Sequence, residues 1–369
     1  MSLGGQIREE KRPICASNNR ARLNEARLSE ETMTRHLLGA ALGALIGMGP
    51  AFAADPVKLR VGDSFPSGHY IGEKITKFWM AEATKRSNGV VTFEYYPAEQ
   101  LGKAKDMLTL TTTGVVDVGY VAPSFVTDKL PLSGVAELPL NFAESCQGTL
   151  AYARLVAENG ILAKKELGPA GVRVLFQIVL PPYQAFLGKK VIDNLAALQG
   201  LKIRTSGSAK ELAVRKIGAT PIQMPTPEVY EALSRGTIDG MLFPFSSIYS
   251  YDLQGLLKSA TVGENLGSFI VAYMISERKW KSLPPEAQKA LAEAGEAATT
   301  AGCRIAQETE GKDRDRLKAL GVALVELNAA DRAKVREAMA SVGAEWAAAL
   351  DKRGKPGAEV LKAFEEALK

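Results

Sequence analysis

Two stretches of the chain repeat one pattern. "TTTGVVDVGYV" (111–121) and "LSRGTIDGMLF" (233–243) each read as a helix end, a glycine, two residues, an aspartate and a strand. The glycines are Gly114 and Gly236, the aspartates Asp117 and Asp239, and the two copies lie 122 residues apart. That separation is one domain length. Gly-x-x-Asp alone is a common turn; the matching helix before it and strand after it are what make an echo. The pattern predicts two similarly built α/β domains.

The flanking sequence agrees. "VKLRVGDSF" alternates as a strand and stops at Pro66-Ser67-Gly68. "YIGEKITKFWMAEATKRSNG" has helical spacing, with Ile71, Ile75, Phe78 and Trp79 on one face and a glycine stop. "VVTFEYY", "VVDVGYV", "VRVLFQIVL", the "LKIR" of "LAALQGLKIR" and "TIDGMLF" read as strands, separated by helices such as "KAKDMLTLTTTG" and "SAKELAVRKIGA". Ser206 or Ser208 is placed to cap the latter, and Thr226, before Pro227, to cap "TPEVYEALSRG". Strands alternating with helices predict parallel-rich sheets.

From Pro284 to about Gly321 helix formers dominate. Some 30 residues of helix would run roughly 45 Å, longer than one such domain is wide. This helix is expected to cross both domains, although Gly295, Gly302 and Gly311 weaken it. "ADRAKVREAMASVGAEWAAAL" and "GAEVLKAFEEAL" read as two closing helices.

The N-terminus differs in kind. From Met33, Arg35 and His36 precede an apolar run from Leu37 to Met48 and an "AFA" cleavage pattern at 51–53. This reads as a secretory signal peptide (33–53), within a non-mature leader of 1–53. Met33 is the expected initiator. No later segment offers the roughly 18 apolar residues of a membrane helix, so the product is not itself membrane-spanning. Beyond Cys15 in the leader, Cys146 and Cys303 either pair as one disulfide in an oxidising compartment or stay as small buried residues. A net charge of +5 without a basic run excludes nucleic acid as a natural partner.

Catalytic residues are sparse. His69 is the one histidine beyond the leader, and no CxxC, H-E-x-x-H, G-x-S-x-G or glycine-rich phosphate loop is present. No metal, cofactor or catalytic residue is expected. The strand ends say more, because open α/β sheets bind ligands outside the carboxyl ends of their strands. Those ends carry His69 in "SFPSGHY", Ser124 in "APSF", Arg204 in "LKIRTSGSA", and Phe243, Phe245 and Tyr249 in "FPFSSIY". One cation, hydroxyls and aromatic rings meeting between two domains would make a small-anion site with an apolar wall. Arg204 could instead be a solvated strand-end charge, His69 a loop hydrogen-bonder, and Phe243 with Phe245 core; Lys189-Lys190 reads as a solvated turn.

In this order, "YPAEQLG" (96–102), "GVVDVGYV" (114–121), "ELPLNF" (137–142), "LQGLKIRTSGS" (198–208), "GATPIQMPTPEVYEALSRGTIDG" (218–240) and "SLPPEAQKAL" (282–291) resemble the solute-binding subunits of tripartite ATP-independent periplasmic (TRAP) transporters. The resemblance covers residues 55–369. It implies a two-domain periplasmic-binding-protein-like fold with a hinge, an interdomain cleft and one helix spanning both domains. Boundaries are then 55–178 plus 268–308, and 179–267 plus 309–369. It implies an organic acid held by the arginine of the "GLKIR" motif, Arg204. A guanidinium fork matches a carboxylate with two charge-assisted hydrogen bonds. Sialic-acid-binding members have a second arginine about twenty positions earlier; here that place holds Gln184, beside Tyr183. Phe243 stands where those members have an asparagine, and an acidic ligand position falls near Ala122. These departures imply a monocarboxylate with an apolar or aromatic body.

The resulting expectation is a periplasmic receptor that delivers its acid to membrane permease subunits. Arg204 would anchor the ligand, with His69, Ser124, Tyr183, Gln184 and Phe243 around it. The alternatives are a secreted two-domain enzyme acting on a small carboxylate and a ligand receptor for a sensor kinase.

Overall fold

The computed structural model describes residues 56–369. The leader, with the signal peptide read at 33–53, lies outside the described residues.

The strands are β1 (Val57–Gly62), β2 (Val91–Tyr96), β3 (Val118–Tyr120), β4 (Val172–Val179), β5 (Gln184–Leu187), β6 (Lys202–Thr205), β7 (Thr220–Gln223), β8 (Gly240–Phe243), β9 (Ser259–Thr261), β10 (Ile270–Ser276) and β11 (Ala323–Val325). They form two sheets, ordered β2-β1-β3-β10-β4 and β11-β9-β5-β8-β6-β7. The chain passes between the sheets three times, by short crossovers from β4 to β5 and from β9 to β10, and by a longer helical connection from β10 to β11.

The expected parallel pairing holds for β1 with β2 and β3, and for β6 with β7 and β8. The sheets are nevertheless mixed. β5 runs antiparallel to β8 and β9, and β10 antiparallel to β3 and β4. Both exceptions are strands that receive the chain from the other sheet. They arrive by a short crossover rather than through a helix, so nothing forces a parallel return.

The duplicated sequence pattern becomes a duplicated clasp. Gly114 and Gly236 both adopt left-handed backbone, φ 85° and 73°. Asp117 then takes an N–H from Arg60 at 2.9 Å on its carboxylate and donates its own N–H to the Arg60 carbonyl at 3.0 Å. Asp239 does the same to Lys202, at 2.8 and 2.8 Å. Each aspartate thus pins the start of one strand to its parallel neighbour, once per sheet.

The helices are α1 (Lys77–Arg86), α2 (Met107–Thr113), α3 (Ser145–Val156), α4 (Gly207–Lys216), α5 (Val229–Ser234), α6 (Glu277–Ser282), α7 (Pro285–Ala319), α8 (Ala329–Ala340), α9 (Val342–Asp351) and α10 (Gly357–Ala367). No helix among the described residues is long and apolar enough to cross a membrane. A π-helical turn, Gly72–Thr76, leads into α1. Ile71, Ile75 and Trp79 are fully buried, whereas Phe78, expected on the same face, is exposed. Trp79 packs on Phe176 of β4, which stacks on Tyr273 of β10 with ring centroids 4.4 Å apart.

The long helix α7 is unbroken over 35 residues, about 50 Å. It packs on α1, α3 and β4, and farther along on the turn 245–247 after β8, so it touches elements of both sheets. Gly295 is there for contact: a Cβ would lie 2.0 Å from the Leu175 carbonyl oxygen. A disulfide joins Cys146 on α3 to Cys303 on α7. The segment read as one closing helix is two, α8 and α9. The α9 helix packs on α4, and α10 on α3 and the turn 132–137, so the tail touches elements flanking both sheets.

Candidate functional site

Arg204 sits on β6, paired with Ile222 of β7 and Met241 of β8, and is 0% exposed. Its Nε donates to the Met224 carbonyl at 3.1 Å and its Nη2 to the Thr226 hydroxyl at 3.0 Å. Thr226 therefore does not cap the next helix as expected; its oxygen is engaged by the arginine. Nη1 has no hydrogen-bond partner among the described residues, nor do the hydroxyls of the following Thr205 and Ser206. Burial pulls the guanidinium pKa down, while the phenols of Tyr183, Tyr251 and Tyr120 oppose this. Arginine stays charged in proteins even so. A buried cation with an unpaired donor is costly, and an anion would relieve that cost.

The small residues after Arg204 have a local reason. Gly207 starts α4 at φ 75°, and a Cβ there would approach the Ser124 hydroxyl at 3.0 Å and Glu137 Oε2 at 3.2 Å. Those two atoms belong to a buried polar node. Ser124 donates to Glu137 Oε2, and Lys210 Nζ donates to the same oxygen at 2.6 Å and to the Ser268 carbonyl at 2.6 Å. The Ile270 N–H reaches Glu137 Oε1 at 3.3 Å. Lys210 and Glu137 are 0% and 1% exposed. Lys210 belongs to α4, against the second sheet, and Glu137 to a turn packed on β10 of the first. The pair fastens the two halves beside the site.

Facing Arg204 is an aromatic wall. Phe243, at the end of β8, lies under the guanidinium with 5.6 Å from Cζ to the ring centroid. Tyr183 and Tyr251 pack on Phe243 at 6.1 and 6.0 Å, and Tyr251 meets His69 edge-on at 5.2 Å. His69 stacks on Phe65 at 4.2 Å, and Phe65 on Tyr120 at 4.4 Å. All of these rings except that of Tyr251 belong to buried residues.

His69 is held by its loop. Asp63, after β1, accepts from the Phe65 N–H at 2.7 Å, from the Tyr95 hydroxyl at 2.8 Å and from Tyr273. Burial raises the Asp63 carboxyl to about 6 against those bonds. Nδ1 of His69 accepts the Ile71 N–H at 3.2 Å, so the proton of the neutral ring is on Nε2. That N–H has no partner among the described residues, although His69 is 1% exposed. Burial pulls its pKa down to about 3, so the ring is neutral at physiological pH. Tyr70 Oη, facing the Ser246 and Ser247 hydroxyls, and Ser246 Oγ are likewise unpartnered.

The structure thus gathers Arg204, Tyr183, Phe243 and His69. It does not bring Gln184 or Ser124 to them with a free polar atom. The Gln184 amide donates to the Glu264 carbonyl at 2.6 Å and accepts from Thr261 Oγ1 at 3.0 Å. Ser124 is spent on Glu137. Phe245 packs edge-on against Phe186 in the core, and Tyr249 lies under Arg316. Sequence reading missed Tyr251, Thr205, Ser206, Ser246 and the Glu137–Lys210 pair. The hydroxyls lay within the strand-end segments already noted and Tyr251 two residues beyond one of them, but nothing in the sequence singled out Lys210 or Glu137.

Comparison with known proteins places the chain. Residues 61–349 match the model of the bacterial extracellular solute-binding proteins, family 7 (DctP). The C4-dicarboxylate-binding periplasmic protein DctP of Rhodobacter capsulatus is 28% identical over 350 residues, covering 91% of this chain and 99% of that one. A marine metagenome TRAP solute-binding protein specific for aromatic acids, solved with 3-hydroxybenzoate, superposes with a TM-score of 0.79 at 26% identity, covering 85% and 98% of the two chains. A TRAP solute-binding protein of Bordetella bronchiseptica, solved with (R)- and (S)-mandelate, gives 0.76 at 27%, covering 85% and 99%. With the two sheets, the double crossover and the bridging helix, the match shows that this chain belongs to family 7 of the bacterial extracellular solute-binding proteins, the periplasmic subunits of TRAP transporters.

Proposed function

We propose that the chain is a periplasmic receptor for small aromatic monocarboxylates, which it delivers to the membrane permease subunits of a TRAP transporter. Arg204 carries this reading: a buried guanidinium with one unpaired nitrogen, beside two unpaired hydroxyls and over an aromatic ring. The ligand carboxylate takes Nη1 of Arg204 and the hydroxyls of Thr205 and Ser206. Its ring lies among Phe243, Tyr183, Tyr251 and Phe65. A polar substituent at the other end accepts from His69 Nε2 and meets Tyr70 and Ser246. Gln184 and Ser124 act indirectly, by holding the crossover and the Glu137–Lys210 node.

The aromatic acids bound by the two structural relatives support this ligand class. A second arginine, which would suit a dicarboxylate, is not among the residues gathered around Arg204. The neutral His69 suits donation of a hydrogen bond better than proton transfer, in keeping with a binder rather than an enzyme. The signal peptide read at 33–53 supports export.

A thermal-shift panel tests the ligand class. Benzoate, 3-hydroxybenzoate and mandelate at about 100 times their Kd should each add about 2.7 kcal/mol, with 3-hydroxybenzoate binding more tightly than benzoate. Succinate and glucuronate should leave the melting curve unchanged. Stabilisation by succinate but not by the aromatic acids would reject the proposal.

A further inference from the structure

A cavity of about 670 Å³ opens where the chain crosses between the sheets. Pro181 and Pro182 of the first crossover and Val262–Asn265 of the second both line it, and Arg204, His69, Tyr183 and Phe243 do not. Its walls include Asn141 before α3 and Gln147 on α3, Arg314 on α7, and Arg332 and Arg336 one turn apart on α8.

Among the described residues, eleven buried side-chain polar atoms lack a hydrogen-bond partner. Six belong to the cleft. Three more, Asn141 Nδ2, Arg332 Nε and Glu264 Oε1, belong to residues lining this cavity. Arg332 Nε stands 3.6 Å from Glu264 Oε1, an ion pair too long for a hydrogen bond. Arg336 makes neither an ion pair nor a hydrogen bond among the described residues, while its charge acts on Glu264. The other acid, Glu310, is occupied by the N–H groups of Phe245 and Ser246 at 3.0 and 2.8 Å. Leu140, on the rim, is held at φ 63°, a strained value for leucine.

The unsatisfied groups are therefore an amide N–H and guanidinium donors around a single carboxylate oxygen. We infer that this cavity binds a small hydrogen-bearing oxyanion, phosphate or a phosphomonoester, and that its occupancy tightens the cleft. The donors take the anion's oxygens, and Glu264 Oε1 takes its P–O–H. A fully deprotonated anion such as sulfate would instead set an oxygen against the carboxylate. The walls come from both crossovers and from the helix that touches both sheets. An occupant spanning Asn141 and Arg336 holds their spacing as it is here, with the cleft residues buried. It thereby favours the conformation that retains the carboxylate, and the two ligands must strengthen each other equally.

The anion-binding part is independent of the proposed cleft ligand; the coupling part rests on it. Isothermal titration of the mature protein with sodium phosphate, sodium sulfate and glycerol phosphate at constant ionic strength tests the first. Phosphate should bind at one site at least about tenfold more tightly than sulfate, the factor expected for one charge-assisted hydrogen bond. Binding should persist in protein saturated with benzoate. Tighter binding of glycerol phosphate than of phosphate would identify an ester as the natural occupant, and the reverse the free ion. Arg336→Gln, an exposed position, should weaken phosphate at least tenfold, and Glu264→Gln should erase the preference over sulfate. Saturating phosphate should lower the Kd for benzoate at least about fivefold, a modest allosteric coupling.

Phosphate that fails to bind, is displaced by benzoate, or binds Arg336→Gln unchanged overturns the site. Phosphate binding with an unaltered benzoate Kd overturns the coupling. Failure of every organic acid to bind, with phosphate binding intact, counts against the cleft reading alone.

Discussion

His69 and Arg204 show how differently two buried polar residues constrain the molecule. Among the described residues, Arg204 keeps its charge without an anionic partner, and His69 gives up its charge without an acceptor for its N–H. The histidine makes a pH prediction. Its folded pKa, about 3, lies below its unfolded value of about 6.5. The unfolded chain therefore binds the extra proton between those limits. The stability is present above pH 6.5 and is lost as pH falls towards 3. At about 1.4 kcal/mol per pH unit, the protein should lose about 2 kcal/mol between pH 7 and 5 relative to His69→Phe. Asp63 acts in the opposite sense in the same range, being raised to about 6, but it is common to both proteins and cancels in the difference. Urea unfolding of the two at both pH values measures it; parallel changes would mean that His69 is not buried neutral. Arg204 was legible in the sequence because a charge ending an apolar strand is unusual. Gln184 was carried over by counting positions. In extended chain, neighbours face opposite sides, so Tyr183 can face the cleft while Gln184 is spent on the crossover.

Among the elements, α4 does more than cover a sheet. Its Lys210 reaches across to Glu137, and the Ser268 carbonyl and Ser124 hydroxyl complete the node. Breaking one half of a buried ion pair leaves the other charge uncompensated. Lys210→Met should cost about 3–5 kcal/mol in denaturant unfolding, and adding Glu137→Gln should restore much of it. A double variant as unstable as the single one would show that packing, not charge, holds the node. The long helix was legible from its composition, and Gly295 proved to be a contact point with β4 rather than a break. The mixed sheets were not legible. Strand direction depends on which sheet the chain has just left, and local periodicity carries no record of that. The same limit hid the partners of Lys210, since a helical reading of "SAKELAVRKIGA" does not say which element its lysine meets.

At the scale of the whole molecule, the duplicated Gly-x-x-Asp clasp builds two like sheets, and two crossovers with one helix join them. Separate strand ends then face each other, which is how His69 after β1 and Arg204 on β6 come to share one aromatic enclosure. The architecture suits capture by closure, because the residues proposed to bind the ligand belong to both halves and are mostly buried in this conformation. The central claim is that a carboxylate held by Arg204 is the ligand's anchor. Calorimetric titration of 3-hydroxybenzoate into the protein and into Arg204→Ala tests it most directly, with circular dichroism confirming that both are folded. Loss of a charge-assisted contact of about 3 kcal/mol predicts at least a 100-fold weaker Kd in the variant. An affinity that survives the substitution within a factor of about two would contradict the account.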